Sequence, residues 1–180
     1  MNDPSRMHGT TIIAVRTDKG SAIGGDGQVS LGETIMKAGA RKIRKLNEGQ
    51  VTVGFAGATA DAFALLERFE GKLRSTSSST LRSAVELAKD WRTDRVLQKL
   101  NAFLVVLDKE HLILLSGNGD VIEPDDGILA VGSGGGYALA AARAMVASGR
   151  TDAKEIVRES LEIASQICVY TNDNIYVEEV

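Results

Sequence analysis

The 180-residue chain is long enough for one domain that buries about two thirds of its unfolded surface, and its 43% hydrophobic and 25% charged residues describe an ordinary globule. A net charge of −3 leaves no electrostatic footprint for nucleic acid or an anionic membrane, and no apolar run reaches the roughly 18 residues of a spanning helix. With one cysteine, Cys168, and two histidines, His8 and His111, an internal disulfide is excluded. A Ser-His-Asp or Cys-His hydrolase and a zinc site are disfavoured.

Residues 1–9 form a polar leader without the apolar core of a signal peptide, which with the lone cysteine points to the cytoplasm. The leader meets an apolar, β-branched run at Thr10-Thr11-Ile12-Ile13-Ala14-Val15, which predicts a strand. Turn residues Thr17 to Gly20 and a returning strand over Ser21 to Gly25 complete a hairpin. Gly24-Gly25-Asp26-Gly27 sets one carboxylate among three glycines. Residues 28–39 read as a loop with a short strand near Thr34 to Met36. Arg41 to Leu46 alternates as a strand, with Lys42, Arg44 and Leu46 on one face.

Val51 to Gly57 is a short apolar strand, and helical periodicity follows at once, with Ala62, Leu66, Phe69 and Leu73 on one stripe. A serine-rich break over Arg74 to Thr80 precedes a second helix. Its stripe runs through Leu81, Val85, Ala88 and Trp91 and continues through Val96, Leu97 and Leu100. Phe103 to Asp108 and His111 to Ser116 read as a hairpin, followed by strands at Val121 to Glu123 and Ile128 to Gly132. Gly132-Ser133-Gly134-Gly135-Gly136 leads into an alanine-rich helix from Tyr137 to Ser148. Thr151 is the expected N-cap of a fourth helix, with Asp152 in its first turn and Ile156, Ser160, Ile163 and Ile167 as its stripe. Asn174 to Val180 is the closing strand.

Blocks of hairpin strands alternate with helix pairs, which argues for an α+β fold with two stacked sheets and helices outside. One domain spans residues 10–180, with 1–9 as a pro-segment.

The residue types also suggest a chemistry. Cleavage between Gly9 and Thr10 would free an α-amine of pKa about 7.7 to 8.0 on the residue that carries the hydroxyl, giving a threonine nucleophile its own base. The alternative is that Thr10 and Thr11 simply open a strand. Lys42 lies either on a solvated basic face or inward, and an inward ammonium needs a carboxylate such as Asp26; Asp26-Gly27 is otherwise a plain turn. Three readings stand for Gly132 to Gly136: a turn, an anion cradle at a helix N-terminus, or a tight corner bringing Ser133 beside a catalytic centre. The chain has no Walker motif, and Tyr137 stands where a dinucleotide fingerprint wants its last glycine.

Thr10-Thr11-Ile12-Ile13, Gly25-Asp26-Gly27-Gln28, Gly54-Phe55-Ala56-Gly57, Ala88-Lys89-Asp90-Trp91-Arg92-Thr93-Asp94, Gly117-Asn118-Gly119-Asp120 and Gly132-Ser133-Gly134-Gly135 occur in order along the chain. Together they resemble the HslV (ClpQ) family of bacterial proteasome-like peptidase subunits, from Thr10 to the C-terminus. The resemblance implies the four-layer αββα sandwich of N-terminal-nucleophile hydrolases. It implies Thr10 as nucleophile, Lys42 as the catalytic lysine, Asp26 as its carboxylate partner, Ser133 as supporting serine and the Gly54 N–H as oxyanion donor. It further implies a sodium ion on the main-chain carbonyls of Ser165, Cys168 and Thr171, with Ser165 standing where family members carry glycine. Two stacked hexamers would degrade unfolded proteins fed by HslU, an AAA+ ATPase ring, with no nucleotide on this chain. A non-catalytic chamber subunit of the same fold and a nucleotide-binding α/β protein are the alternatives.

Overall fold

The computed structural model describes residues 7–8, 10–57, 59–77, 79–95, 97–100 and 102–180. Residues 1–6 and Gly9 of the expected pro-segment, Val96 of the expected second stripe and the side chain of Ala62 lie outside the described residues.

Strands β1 (Met7–His8), β2 (Thr11–Thr17), β3 (Gly20–Gly25), β4 (Val29–Leu31), β5 (Thr34–Lys37), β6 (Ile43–Leu46) and β7 (Val51–Gly57) precede helices α1 (Thr59–Ser75) and α2 (Thr80–Thr93). Strands β8 (Ala102–Leu107), β9 (Leu112–Ser116), β10 (Val121–Ile122) and β11 (Ile128–Gly132) follow, then α3 (Gly135–Ala147), α4 (Ala153–Ile167) and β12 (Tyr176–Glu179). A four-stranded sheet in the order β11-β2-β3-β12 lies on a five-stranded sheet in the order β10-β9-β8-β7-β6. Their strand pairs are antiparallel. A small third sheet, β1-β4-β5, pairs Met7 with Leu31 and His8 with Ser30. Sequence periodicity does not mark β1 and β4, because two or three residues are too few to show alternation.

Alternation along the strands sorts their side chains into three apolar layers. Ile13, Val15 and Ala22 face α3 and α4, where Ala138, Ala142, Ile156, Val157 and Leu161 meet them. Ile12, Ala14 and Ile23 face the other way and pack with Val105, Leu107 and Leu129 between the sheets. Val53, Phe55, Leu104 and Val106 face α1 and α2 through Leu65, Phe69, Leu87 and Trp91. The expected αββα sandwich follows from this period-two division of each sheet.

In α1 the expected Leu66, Phe69 and Leu73 are buried, whereas α2 and α4 each bury a face rotated from the expected stripe. In α2 the buried residues are Thr80, Ser83, Ala84, Leu87, Ala88 and Trp91, while Leu81 and Val85 lie at the exposed margin. The small residues on the buried face, with Ser83 Oγ 2.6 Å from Thr76 Oγ1, allow close approach that the bulkier margin would prevent. In α4 the buried set is Ala153, Ile156, Val157, Ser160, Leu161 and Ala164, and Ile163 and Ile167 are exposed. Gly24 selects that face: a Cβ there would sit 2.4 Å from Val157 Cγ1 and 3.0 Å from Leu161 Cδ1. The N-cap of α4 is Asp152, whose Oδ1 accepts the Glu155 N–H at 2.9 Å. The Thr151 carbonyl instead accepts the Thr17 hydroxyl at 2.7 Å.

Candidate active site

The N-terminal ends of the β2 hairpin and the C-terminal end of β11 come together at one edge of the sandwich. There Thr10 is buried, at 8% exposure, although it stands at the margin of its strand. Its carbonyl accepts the Ser133 N–H at 3.0 Å. The glycine-rich stretch makes a turn between β11 and α3 that comes close against Thr10. Gly132 has φ +93°, and a Cβ on it would lie 1.7 Å from the Thr10 carbonyl oxygen. Only glycine permits the two chains to meet this way.

Asp26 follows β3 and is almost wholly buried. Its Oδ1 accepts the Thr11 N–H at 2.8 Å and the Lys42 ammonium at 2.7 Å; its Oδ2 accepts the Gln28 N–H at 2.9 Å and the Asn172 N–H at 3.3 Å. Lys42 also donates to the Gln28 carbonyl at 2.6 Å. Of the two readings of the basic strand, the inward one holds for Lys42, which precedes β6 and is buried. Burial pushes the Lys42 ammonium below its ordinary pKa of 10.5, and attraction by Asp26 and the hydrogen bond the ammonium donates to it recover part of that shift. Because Thr11 and Lys42 share one carboxylate oxygen, the ammonium is held within two hydrogen-bond lengths of the Thr11 amide.

The stretch around Lys42 is anchored from the far sheet. The Arg41 guanidinium lies 4.6 Å from the Tyr176 ring centroid, and Lys45 Nζ is 2.6 Å from Glu178 Oε2. Both partners are on β12, which thus runs beside both ends of the segment that presents the lysine, the Lys45 contact lying at the exposed end.

Gly54 does not fit the oxyanion role expected of it. The Phe55 N–H donates to the Lys42 carbonyl at 3.1 Å, which makes Ile43 and Gly54 a non-hydrogen-bonded pair. The Gly54 N–H therefore points away from β6 toward its β8 partner, Val105. Gly54 is glycine for another reason: a Cβ there would lie 2.7 Å from Ile12 Cγ2 in the layer between the sheets. Gly57 turns its N–H to the same side as Phe55, beyond the last β6 residue in register, and has φ +128°. Sequence reasoning passed over Gly57, although it closes the same Gly-Phe-Ala-Gly motif; only ladder phase separates the two glycines.

Sequence reasoning also missed the buried hydroxyls of Thr11 and Thr171, whose oxygens are 2.7 Å apart, and the amide of Asn172. The three residues expected to hold sodium are near one another at the end of α4. Ser165 is in its last turn, Cys168 is its C-cap, and Thr171 closes the following turn by donating its N–H to the Cys168 carbonyl at 3.0 Å. Main-chain carbonyl oxygens are the donor type a hard cation takes, and of these three the Cys168 carbonyl already accepts an N–H within the turn. Among the described residues, no three His, Cys, Asp or Glu side chains cluster to hold a metal. None of the helices described is long and apolar enough to cross a membrane.

Residues 7–180 match the family described as proteasome subunit. The chain is also similar to the crystal structure of eukaryotic HslV from Trypanosoma brucei, at 45% identity and TM-score 0.89, over 94% of this chain and 98% of that one. The chain belongs to the proteasome subunit family. Its HslV-like character explains the strand and helix order, and the fold is the proteasome-type α+β sandwich expected. Thiobacillus denitrificans BPH, in complex with epoxomicin and in a second structure, matches at 20% and 19% identity with TM-scores of 0.75 and 0.74. Each match covers 94% of this chain and 97% of the other, and at that identity the likeness is one of fold. Membership in the proteasome subunit family makes this a threonine-peptidase type of subunit.

Proposed function

We propose that this chain is the peptidase subunit of an ATP-dependent protease and cuts unfolded polypeptides with Thr10 as nucleophile after residues 1–9 are removed. The observation that carries the reading is the buried Lys42–Asp26 pair, hydrogen-bonded to the amide of Thr11 immediately after Thr10.

In this mechanism the freed Thr10 amine takes the proton from its own hydroxyl, and the oxygen attacks the scissile carbonyl. The Lys42 ammonium keeps the amine neutral by like-charge repulsion and favours the developing alkoxide, while Asp26 holds the ammonium in place. The amine then returns its proton to the leaving nitrogen, and water releases the acyl group. The tetrahedral oxyanion is assigned to the N–H of Gly57 in place of Gly54; losing one such donor typically costs about 10² to 10³ in rate. Ser133, held at Thr10 by its main-chain N–H, is the supporting serine.

The edge of β4 that pairs with Met7 and His8 offers the main-chain groups an extended peptide needs. Substrate would take that edge once the leader has gone. A sodium ion on the carbonyls of Ser165, Cys168 and Thr171 would stiffen the turn after α4 and take no part in the proton transfers. The working form is two stacked homohexamers in the cytoplasm, supplied with unfolded protein by the AAA+ ring HslU; absence of a Walker motif supports leaving ATP hydrolysis to a partner.

Intact-mass measurement and peptide hydrolysis test the reading together. The active protein should lack residues 1–9, and Thr10→Ala should assemble without hydrolysing peptide. Activity in a chain that still joins Gly9 to Thr10 would end it.

A further inference from the structure

Three loops distant in sequence meet behind the Lys42–Asp26 pair: residues 26–28 after β3, residues 38–42 before β6, and residues 171–174 between α4 and β12. Two neighbouring residues of the last loop reach the other elements in different directions.

Thr171 reaches toward the nucleophile. Its Oγ1 lies 2.7 Å from Thr11 Oγ1, which also accepts the Gly134 N–H at 2.9 Å. Thr11 is fully buried and Thr171 nearly so, so water does not replace either partner cheaply. A Cβ on Gly134 would lie 2.5 Å from both hydroxyl oxygens, which accounts for a glycine at that place. The hydroxyl pair thus pins the 132–134 corner, whose Ser133 N–H holds the Thr10 carbonyl.

Asn172 reaches toward the lysine. Its main-chain N–H donates to Asp26 Oδ2 at 3.3 Å, and its Oδ1 accepts the Gly27 N–H at 3.0 Å and the Asn174 N–H at 3.3 Å. Its Nδ2 donates to the Ala38 carbonyl at 2.8 Å, where Asn174 Nδ2 adds a second bond at 2.9 Å. The Ala40 N–H donates to the Gly27 carbonyl at 2.8 Å and closes the ring of contacts. A carboxamide suits this place because it accepts on one side and donates on the other; a carboxylate would lack the donor. The amide spans the turn carrying Asp26 and the segment leading to Lys42.

We propose that Thr171 and Asn172 are positioning residues, a two-armed brace that sets Thr10 against the Lys42–Asp26 pair. They act through Thr11, Gly134, Asp26 and Ala38, not on the scissile bond, and the proposal rests on Thr10 being the nucleophile. Catalysis by placed groups is steeply sensitive to such support, since a 1 Å displacement can cost about 10² in rate.

The test is peptide hydrolysis by the assembled, processed protein, measured well below the melting temperature of each variant. Thr171→Val removes the hydroxyl and keeps the shape, Thr171→Ser keeps the hydroxyl, and Asn172→Ala removes the amide. Thr171→Val and Asn172→Ala should lower kcat about tenfold or more with KM within about twofold, and Thr171→Ser should recover most of the rate. If Asn172→Ala fails to assemble, the comparison of Thr171→Val with Thr171→Ser decides. Unchanged kcat, or a rise in KM alone, beside an inactive Thr10→Ala overturns the brace and leaves the nucleophile standing. Full activity in Thr10→Ala removes the reading beneath it and the brace as well.

Discussion

Lys42 Nζ stands 2.7 Å from Asp26 Oδ1, with the two side chains 3% and 0% exposed, so each charge is tolerable in the interior because of the other. Removing either partner leaves the second buried without its counter-charge. Lys42→Ala should therefore abolish peptide hydrolysis and also destabilise the fold by about 3–5 kcal/mol, read from urea unfolding of the purified variant. An inactive protein of wild-type stability would show that the pair is not sealed as described.

Lys45 carries the opposite expectation, three residues further along the same segment. Its side chain is 46% exposed and its ion pair with Glu178 lies at the surface, where such pairs contribute little. Lys45→Ala should leave kcat/KM within about twofold of wild type. A loss comparable to that of Lys42→Ala would contradict the assignment of Lys42 as the working lysine.

Two glycines of one stretch should respond oppositely to alanine. Gly132→Ala forces a Cβ toward the Thr10 carbonyl at a positive φ and should eliminate activity by displacing Thr10. Gly136 lies within α3 with open space around its Cα, so Gly136→Ala should gain roughly 0.5–1 kcal/mol from helix propensity. Thermal melts and hydrolysis rates of the two variants check this contrast.

Asp108 should contribute to acid sensitivity. Burial pushes its carboxyl up, but hydrogen bonds from the Thr80 hydroxyl and the His111 and Glu110 N–H groups outweigh burial and hold it below its ordinary 3.8. A depressed carboxyl pKa gives stability that is complete above about pH 3.8 and is lost as pH falls through the folded value. Asp108→Asn should accordingly flatten the fall of melting temperature between about pH 4 and pH 2. Parallel curves for the two proteins would remove Asp108 from the acid response.

Legibility from sequence divided along physical lines. Strand blocks and helix pairs were readable because apolar residues recur at periods of 2 and 3.6, a local property of the chain. Their buried faces were harder: α2 and α4 each carry apolar residues over more than one stripe, and Gly24 opposite Val157 decides the outcome for α4. Lys42 illustrates the same limit, since alternation along residues 41–46 leaves it either solvated or inward, and the Asp26 carboxylate at its ammonium decides.

By itself, the order of residues determined the αββα layering and set Thr10, Asp26, Lys42 and Ser133 in recognisable motifs. Tertiary structure alone decided that Gly57 rather than Gly54 turns its N–H to the β6 side, and that Thr171 and Asn172 stand behind the Lys42–Asp26 pair. The reason is range. Ladder phase depends on a partner strand, and Thr11 meets Thr171 across 160 residues, a separation at which local periodicity carries no information.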